Sequence, residues 1–262
     1  MYEELLEDIA HKSALRETHT GVKIVTGAGA IILCLLSPGF LAPLLVAAVL
    51  LMALVFLARV DVSTLGHVYA APALFAVFSV SAIVLVAGGG ETFWQWQPAP
   101  WFSLSVSRAG INQGVLVFAR FIGGTTGLVF IALTTPMTDL FSVMRRLRVP
   151  DEVIDLAMII YRTIFMVMAH VVQVYGAQVM RLGYSTFRES LHSFARLCGA
   201  VFISSWEAGE DLIRAMEARC YAGKFAVLGK DRPADPLSLA AVATFFVLTG
   251  AVAVTTADVT LF

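Results

Sequence analysis

The longest uncharged stretch of the chain includes residues 24–57, which are 34 positions without an acidic or basic residue. About 20 apolar residues are enough for one helix to cross a bilayer, so this stretch is too long for a single crossing. A Ser-Pro-Gly sequence at residues 37–39 interrupts it, and proline followed by glycine is typical of a turn. We therefore predict two membrane helices, at about residues 20–37 and 40–58, with the ammonium group of Lys23 extending to the surface.

Three further apolar runs follow, at residues 68–90, 111–133 and 237–257. The chain is 58% hydrophobic and 14% charged, whereas a soluble domain averages about 25% charged residues. Such a chain cannot cover its surface with polar groups, so we predict an all-α integral membrane protein with about five transmembrane helices. Glycines within residues 123–127 are expected to let neighbouring helices approach the fourth helix closely.

Basic residues are concentrated between the fourth and fifth predicted spans. Residues 136–236 hold 12 of the 18 lysines and arginines, and the tail after residue 257 holds none. Because basic loops stay in the cytoplasm, we predict a multi-pass protein of the inner or plasma membrane with a cytoplasmic N-terminus and an external C-terminus. The predicted organisation is a membrane part with four transmembrane helices at 1–135, a cytoplasmic or interfacial coupling-helix module at 136–235, and a C-terminal transmembrane helix at 236–262.

The basic block is predicted to be helical. A short amphipathic helix is expected at residues 136–148, followed by a long helix that begins at Asp151 and ends at Arg181. This long helix is apolar on nearly all sides over residues 159–180, so we expect it to lie against the membrane or partly in it. Gly183 is predicted to end it as the glycine that follows the C-cap.

A second long helix is predicted at about residues 186–221, with Gly223 ending it. One face of this helix carries an apolar stripe at helical spacing, and the charged residues lie away from that face. The stripe consists of Phe187, Leu191, Phe194, Cys198, Val201, Trp206, Ile213 and Met216.

Arg181 and Arg219 lie in similar sequences at the ends of the two long helices, each with a glycine and a tyrosine nearby. A single arginine at such a position is most simply a solvated cation favoured by the C-terminal end of the helix dipole. Two arginines in matching settings favour a docking role instead. The guanidinium keeps its charge and grips a carboxylate with two parallel hydrogen bonds, which suits contact with a soluble partner.

Arg120 is the charged residue inside a predicted span. Two interpretations are open from the sequence. Arg120 contacts a moving partner or acts as a lipid-facing switch, or it is a structural arginine that pairs with backbone carbonyls or a polar neighbour, or extends to the outer surface.

Several kinds of chemistry have no support in the sequence. The chain contains no Gly-x-x-x-x-Gly-Lys-Ser/Thr sequence, and its five histidines are scattered without ligand spacing. No Asp, Glu or His falls in the middle of a predicted span, which argues against a self-sufficient proton-coupled permease. We therefore expect a non-catalytic chain that binds no metal or cofactor itself, and we expect no nucleic-acid partner.

Several short segments resemble the transmembrane coupling (T) subunit of energy-coupling factor transporters, and in particular the CbiQ-type subunit of cobalt importers. The similarity covers nearly the whole chain, and its last two segments are the specific ones. The segments are Val22-Lys23, Thr134-Thr135-Pro136, Asp139-Leu140, Arg145-Arg146-Leu147, Val149-Pro150, Tyr161-Arg162, Arg181-Leu182-Gly183-Tyr184 and Met216-Glu217-Ala218-Arg219.

The signature of that family is a pair of short Ala-Arg-Gly-like motifs at the tips of coupling helices. The first motif here has Met180 and Leu182 around Arg181, with the glycine delayed by one position. The second keeps Ala218 before Arg219 but has Cys220 where glycine is usual. The resemblance implies that these six residues bind the partner.

The resemblance also implies the partners and the mechanism. Such a subunit joins two cytoplasmic ABC-type ATPase subunits to a substrate-capture (S) membrane subunit, and each motif arginine inserts into a groove of one ATPase subunit. Closure of the ATPase pair on ATP moves the crossed coupling helices and rotates the capture subunit, which holds the metal; ATP and Mg²⁺ are bound by the ATPases. We expect an importer for cobalt ion. A nickel or vitamin importer, and a membrane scaffold that docks a non-ATPase partner, remain alternatives.

Overall fold

The computed structural model describes residues 18–86, 92–99, 102–221 and 235–256. The described elements in chain order are α1 (Thr20–Leu36), α2 (Leu41–Met52, continued by a π-helical turn at Ala53–Leu57), α3 (Val62–Val86), β1 (Thr92–Ala99), β2 (Phe102–Ser107), α4 (Arg108–Thr134), α5 (Met137–Arg146), α6 (Asp151–Met180), α7 (Phe187–Ala218) and α8 (Pro236–Thr255). The strands β1 and β2 form an antiparallel hairpin that the sequence did not predict. The predicted helix ends at Gly90 and Gly223, and the tail after residue 257, lie outside the described residues.

The chain divides into two compact units, residues 1–140 with 230–262, and residues 141–229. Their bounds differ from the predicted membrane part and coupling module, whose division stays a prediction. The first unit contains α1 to α4 and α8, and the second contains α6 and α7 with the end of α5.

The prediction of an all-α membrane protein is confirmed, but the set of candidate spans differs from the predicted five. Four described helices are long and apolar enough to cross a membrane, namely α3, α4, α6 and α8. The turn at residues 37–39 limits α1 to 17 residues, and α2 with its π-helical turn is likewise a shorter apolar helix. A 17-residue helix is about 25 Å long, which is less than the roughly 30 Å of the hydrocarbon core.

Helix α4 is the centre of the first unit, and α1, α2 and α3 all pack against it. Two of the predicted glycines make this packing possible. A Cβ atom on Gly123 would lie 2.6 Å from Sγ of Cys34 and 2.8 Å from the carbonyl oxygen of Pro43, and a Cβ on Gly127 would lie 3.0 Å from the carbonyl oxygen of Gly27. The expectation of close helix approach at residues 123–127 is confirmed at these two positions.

Lys23 does not extend to the surface as predicted. It is 3% exposed, and its Nζ donates to the carbonyl oxygen of Thr134 at 3.0 Å. Thr134 is the last residue of α4, where carbonyl groups have no partner in the helix and the dipole is negative. The buried ammonium group of Lys23 satisfies the carbonyl oxygen of Thr134 at the helix end. A lysine that extended to the surface would leave this acceptor without a donor.

Arg120 donates from its terminal NH2 group to the carbonyl oxygen of Ser37 at 2.7 Å. The hydroxyl group of Ser37 in turn donates to the carbonyl oxygen of Gly39 at 2.9 Å. Of the two interpretations of Arg120, the structure supports the structural one, in which the arginine pairs with a backbone carbonyl. Arg120 ties the middle of α4 to the turn between α1 and α2.

In the second unit, α5 and α6 are joined by an edge-to-face contact between the rings of Phe141 and Tyr161, at 6.1 Å between centroids. Thr186 caps the start of α7, because its side chain accepts from the backbone N–H of Glu189. This start agrees with the predicted one. The predicted end at about residue 221 is three residues too late, since α7 ends at Ala218.

Candidate docking site

Helix α6 ends at Arg181, which is its C-cap residue, with φ −92° and ψ 13°. The next residue, Leu182, has a positive φ of 57°. The N–H of Gly183 donates to the carbonyl oxygen of Gln178 at 2.9 Å, and the N–H of Leu182 donates to that of Val179 at 3.0 Å. These two bonds and the left-handed residue make up a Schellman motif. We call residues 180–183 the first tip.

Helix α7 ends in the same way. Arg219 is the C-cap residue, with φ −96° and ψ 11°, and Cys220 has φ 53°. The N–H of Tyr221 donates to the carbonyl oxygen of Met216 at 3.1 Å, and the N–H of Cys220 donates to that of Glu217 at 3.0 Å. We call residues 218–221 the second tip. The two arginines therefore occupy the same position of the same backbone motif.

The prediction that Gly183 is the residue after the C-cap is wrong, because Leu182 occupies that position. A left-handed conformation costs a residue with a side chain about 1–2 kcal/mol, so sequence rules place a glycine there. Gly183 serves another purpose. A Cβ atom on it would lie 2.7 Å from Oγ of Ser193 and 3.1 Å from the carbonyl oxygen of Gln178, so its missing side chain lets α7 approach the tip.

The six residues predicted to bind a partner fall into two groups of three, Met180, Arg181 and Leu182 at one tip and Ala218, Arg219 and Cys220 at the other. All six are exposed, with Met180 and Leu182 at 85% and 75%. Among the described residues, neither the Arg181 nor the Arg219 guanidinium makes a hydrogen bond or an ion pair. Each cation lies at the negative end of a helix dipole, which attracts positive charge. The partner-binding role of these six residues stays a prediction.

The two tips lie at opposite ends of an antiparallel helix pair. Near the first tip, the Nε2 of Gln178 donates to the carbonyl oxygen of Ser193 at 3.1 Å, which joins α6 to α7. Near the second tip, the hydroxyl of Tyr221 donates to Oδ2 of Asp155 at 3.4 Å. At 1.5 Å per residue, positions 155 and 181 of α6 are about 39 Å apart. The two arginines are thus held far from each other by one rigid element.

The first tip is braced by short hydrogen bonds between uncharged groups. Oγ of Ser193 donates to the carbonyl oxygen of Gly183 at 2.8 Å, and the hydroxyl of Tyr184 donates to Oε1 of Gln178 at 2.8 Å. The ring of Tyr184 lies 5.0 Å from that of Tyr175. Desolvation, with smaller effects of Tyr175 and Cys198, raises the pKa of Tyr184.

The second tip is braced by a buried carboxylate. Asp155 is 3% exposed, and its Oδ1 lies 3.4 Å from a terminal nitrogen of Arg145 in α5. Nε of Arg145 lies 3.4 Å from Oδ1 of Asp151, in the first turn of α6. Desolvation and the neighbouring carboxylate of Asp155 raise the pKa of Tyr221. Sequence reasoning assigned no role to Asp155, and it did not connect Arg145 or Tyr221 with this carboxylate. The available signal was a carboxylate flanked by Ile154 and Leu156 in an otherwise apolar part of the helix.

The apolar stripe of α7 is largely uncovered within the described structure. Phe187, Phe194 and Trp206 are all more than half exposed, and Leu197 is the buried residue of the helix. Among the described residues, no group of three or more His, Cys, Asp or Glu is placed to hold a metal ion. The expectation that the chain binds no cofactor stays a prediction.

Comparison with known proteins gives a family match over most of the chain. The sequence model of the family described as CbiQ, cobalt transport protein, matches residues 11–230. A fused cobalt transport protein CbiMQ of Methanocorpusculum labreanum is 36% identical over 246 residues, which are 94% of this chain and 41% of that protein. The cobalt transport protein CbiQ of Rhodobacter capsulatus is 28% identical over 91% of this chain and 93% of its own. The energy-coupling factor transporter transmembrane protein EcfT 1 of Listeria monocytogenes is 32% identical over 56% of this chain and 58% of its own.

Proposed function

Because the chain belongs to the CbiQ cobalt transport protein family, we propose that it is the transmembrane coupling subunit of an ATP-driven energy-coupling factor importer for cobalt ion. It links two cytoplasmic ABC-type ATPase subunits to a membrane subunit that captures the substrate. The chain itself is not catalytic. ATP and Mg²⁺ bind to the ATPase subunits, and cobalt binds to the capture subunit.

The observation that carries this proposal is the pair of matching helix ends. Arg181 and Arg219 have the same backbone position, are exposed, and have no ion-pair partner among the described residues. An arginine held at a fixed backbone angle presents its five donors to a carboxylate or carbonyl pair on a partner. Two such donors at opposite ends of one helix pair suit a partner with two equivalent grooves, as a pair of ATPase subunits would have.

The distance between the tips supports a way in which work could pass from the ATPase pair to the membrane. When a partner that holds the tips of α6 and α7 closes, it must change the separation or the crossing angle of the two helices. The helices do not absorb the movement because each of them is stiff. The exposed apolar stripe of α7, with Phe194 and Trp206, is the surface on which the capture subunit packs, so that it moves with this helix. The arginines differ in their neighbours, since Met180 and Leu182 are large and apolar whereas Ala218 and Cys220 are small.

We further propose that α6 lies along the cytoplasmic surface of the plasma membrane and does not cross it, although its length and composition would allow a crossing. A crossing would place the two tips on opposite sides, where one ATPase pair could not reach both. It would also place Arg162, which is exposed, within the lipid. The concentration of basic residues at 136–236 supports a cytoplasmic position, with the N-terminus on the same side.

The proposal is tested by reconstituting the complete transporter in liposomes and measuring uptake of radioactive Co²⁺ driven by ATP. We expect uptake from the full complex and none when this chain is left out, because the ATPase and capture subunits then have no connection. Uptake without this chain, or ATP hydrolysis by the purified chain alone, would contradict the proposal.

A further inference from the structure

Asp155 is a buried carboxylate that joins three elements of the second unit. Its Oδ1 faces Arg145 of α5 at 3.4 Å, and its Oδ2 accepts from the hydroxyl of Tyr221 at 3.4 Å. A carboxylate that is 3% exposed has lost nearly all of its water and is stable only when charged or polar groups compensate it. The cluster therefore holds Tyr221 in place.

Tyr221 is also part of the second tip. Its backbone N–H closes the Schellman motif by donating to the carbonyl oxygen of Met216 at 3.1 Å. Arg219 and Cys220, which has a positive φ of 53°, lie between Met216 and Tyr221. A strained residue of this kind persists only when its surroundings hold it. The side-chain bond to Asp155 fixes the far end of the turn, and with it the direction in which the Arg219 side chain leaves the helix.

Resting on the docking function proposed above, we infer that Asp155 and Tyr221 are positioning residues for Arg219. The hydroxyl of Tyr221 anchors the second tip to the N-terminal end of α6, and it thereby presents the guanidinium to the ATPase subunit.

This anchor also gives α6 a role at both docking points. Helix α6 carries Arg181 on its own C-terminal end and holds the tip with Arg219 near its N-terminal end, through Asp155. Arg145 continues the connection into α5. A displacement of the second tip by the ATPase subunit is then passed to the start of α6 and not absorbed by a loose turn.

The first experiment measures binding of the ATPase pair to the full chain in nanodiscs, with Tyr221→Phe placed in two backgrounds. In the Arg181→Ala chain, the second tip is the remaining docking point for the ATPase pair. Removing the hydroxyl of Tyr221 should then weaken binding by about threefold to tenfold, as expected for one lost hydrogen bond. In the Arg219→Ala chain, Tyr221→Phe should have no further effect, because the residue that it positions is gone. Equal effects in both backgrounds, or none in either, would overturn the inference.

Tyr184→Phe is the matched control. Its hydroxyl braces the first tip through Gln178 at 2.8 Å, so this variant should weaken binding in the Arg219→Ala background alone. The variant Arg181→Ala with Arg219→Ala separates the two proposals. If that variant still binds the ATPase pair as the unaltered chain does, the docking function itself fails. If the double variant does not bind, and Tyr221→Phe changes the affinity in neither background, only the positioning role fails.

A second measurement needs no partner. Cys34 is buried, so a Cys198→Ser chain keeps Cys220 as its exposed thiol, and a nitroxide label there reports the mobility of the second tip. We expect Asp155→Asn and Tyr221→Phe to increase this mobility and Asp151→Asn to leave it unchanged, since Asp151 contacts Arg145 whereas the hydroxyl of Tyr221 donates to Asp155. Unchanged mobility in both Asp155→Asn and Tyr221→Phe would overturn the positioning role whatever the partner binds.

Discussion

The first and second tips have the same backbone and are held in different ways. Each ends a long helix in a Schellman motif with an arginine at the C-cap and a residue other than glycine in the left-handed conformation. The first tip is braced by uncharged groups nearby in the chain, namely Ser193 of α7, 10 positions from Gly183, and Tyr184. The second is braced across the helix pair by the buried carboxylate of Asp155. The two helix ends thus hold an arginine at the same backbone position by different means.

The largest expected difference between the tips is their response to loss of Arg145. Arg145→Met leaves Asp155 buried beside a neutral side chain. We expect a loss of about 1–3 kcal/mol, below the roughly 3–5 kcal/mol of a fully buried pair because Arg145 is partly exposed to solvent. Hydrogen exchange should increase at the second tip and not at the first. Arg148→Ala, at an exposed neighbouring arginine, is the control and should change neither.

The next prediction acts on the first tip. Gly183→Ala places a Cβ atom 2.7 Å from Oγ of Ser193, and such overpacking costs about 1–3 kcal/mol. The turn between α6 and α7 should then exchange hydrogen faster, with the second tip unaffected. Adding Ser193→Ala should recover only part of the loss, because the carbonyl oxygen of Gln178 is still 3.1 Å away. A neutral Gly183→Ala variant would show that α7 does not approach the tip this closely.

The two tips should respond alike where their backbone is alike. Leu182→Gly and Cys220→Gly each remove the side chain from a residue in the left-handed conformation, which glycine adopts without strain. We expect each change to stabilise its helix end by up to about 1 kcal/mol. Slower hydrogen exchange at the last turn of α6 and of α7 would be the signal. Opposite responses of the two variants would break the equivalence of the motifs.

The smallest expected effect concerns pH at the turn after the first tip. Glu189 accepts a hydrogen bond from the hydroxyl of Ser185, and this bond, with a smaller contribution from Thr186, lowers the pKa of Glu189. A lowered pKa in the folded state means that the interaction stabilises the start of α7 above the ordinary pKa of a glutamate and is lost as the pH falls through the lowered one. Protection of the amides in the first turn of α7 should fall in acid, and Glu189→Gln should remove this dependence.

The sequence predicted those features that rest on composition and periodicity. It gave the helical membrane protein, the start of α7, the close packing at Gly123 and Gly127, and the family, whose match confirms the stated resemblance. It missed features that depend on which groups the fold brings together. Leu182 takes the place of a glycine in a turn that Ser193 of α7 holds through Gly183, and Lys23 is buried where its Nζ donates to the carbonyl oxygen of Thr134 at the end of α4. The bond between Asp155 and Tyr221 joins residues 66 positions apart, which no local pattern reports.

The most direct test of the account is the affinity of the ATPase pair for the chain in nanodiscs, with Arg181→Ala, Arg219→Ala and both together. Each single change should weaken binding by about 30-fold or more, since it leaves the acceptors of one groove unpaired at a cost of about 2–5 kcal/mol. The double change should abolish measurable binding, because both points of a two-point attachment are lost. Arg196→Ala, at an exposed arginine within α7 away from either tip, should bind as the unaltered chain does. Unaltered affinity of the double variant would contradict the account and leave both arginines as solvated helix ends.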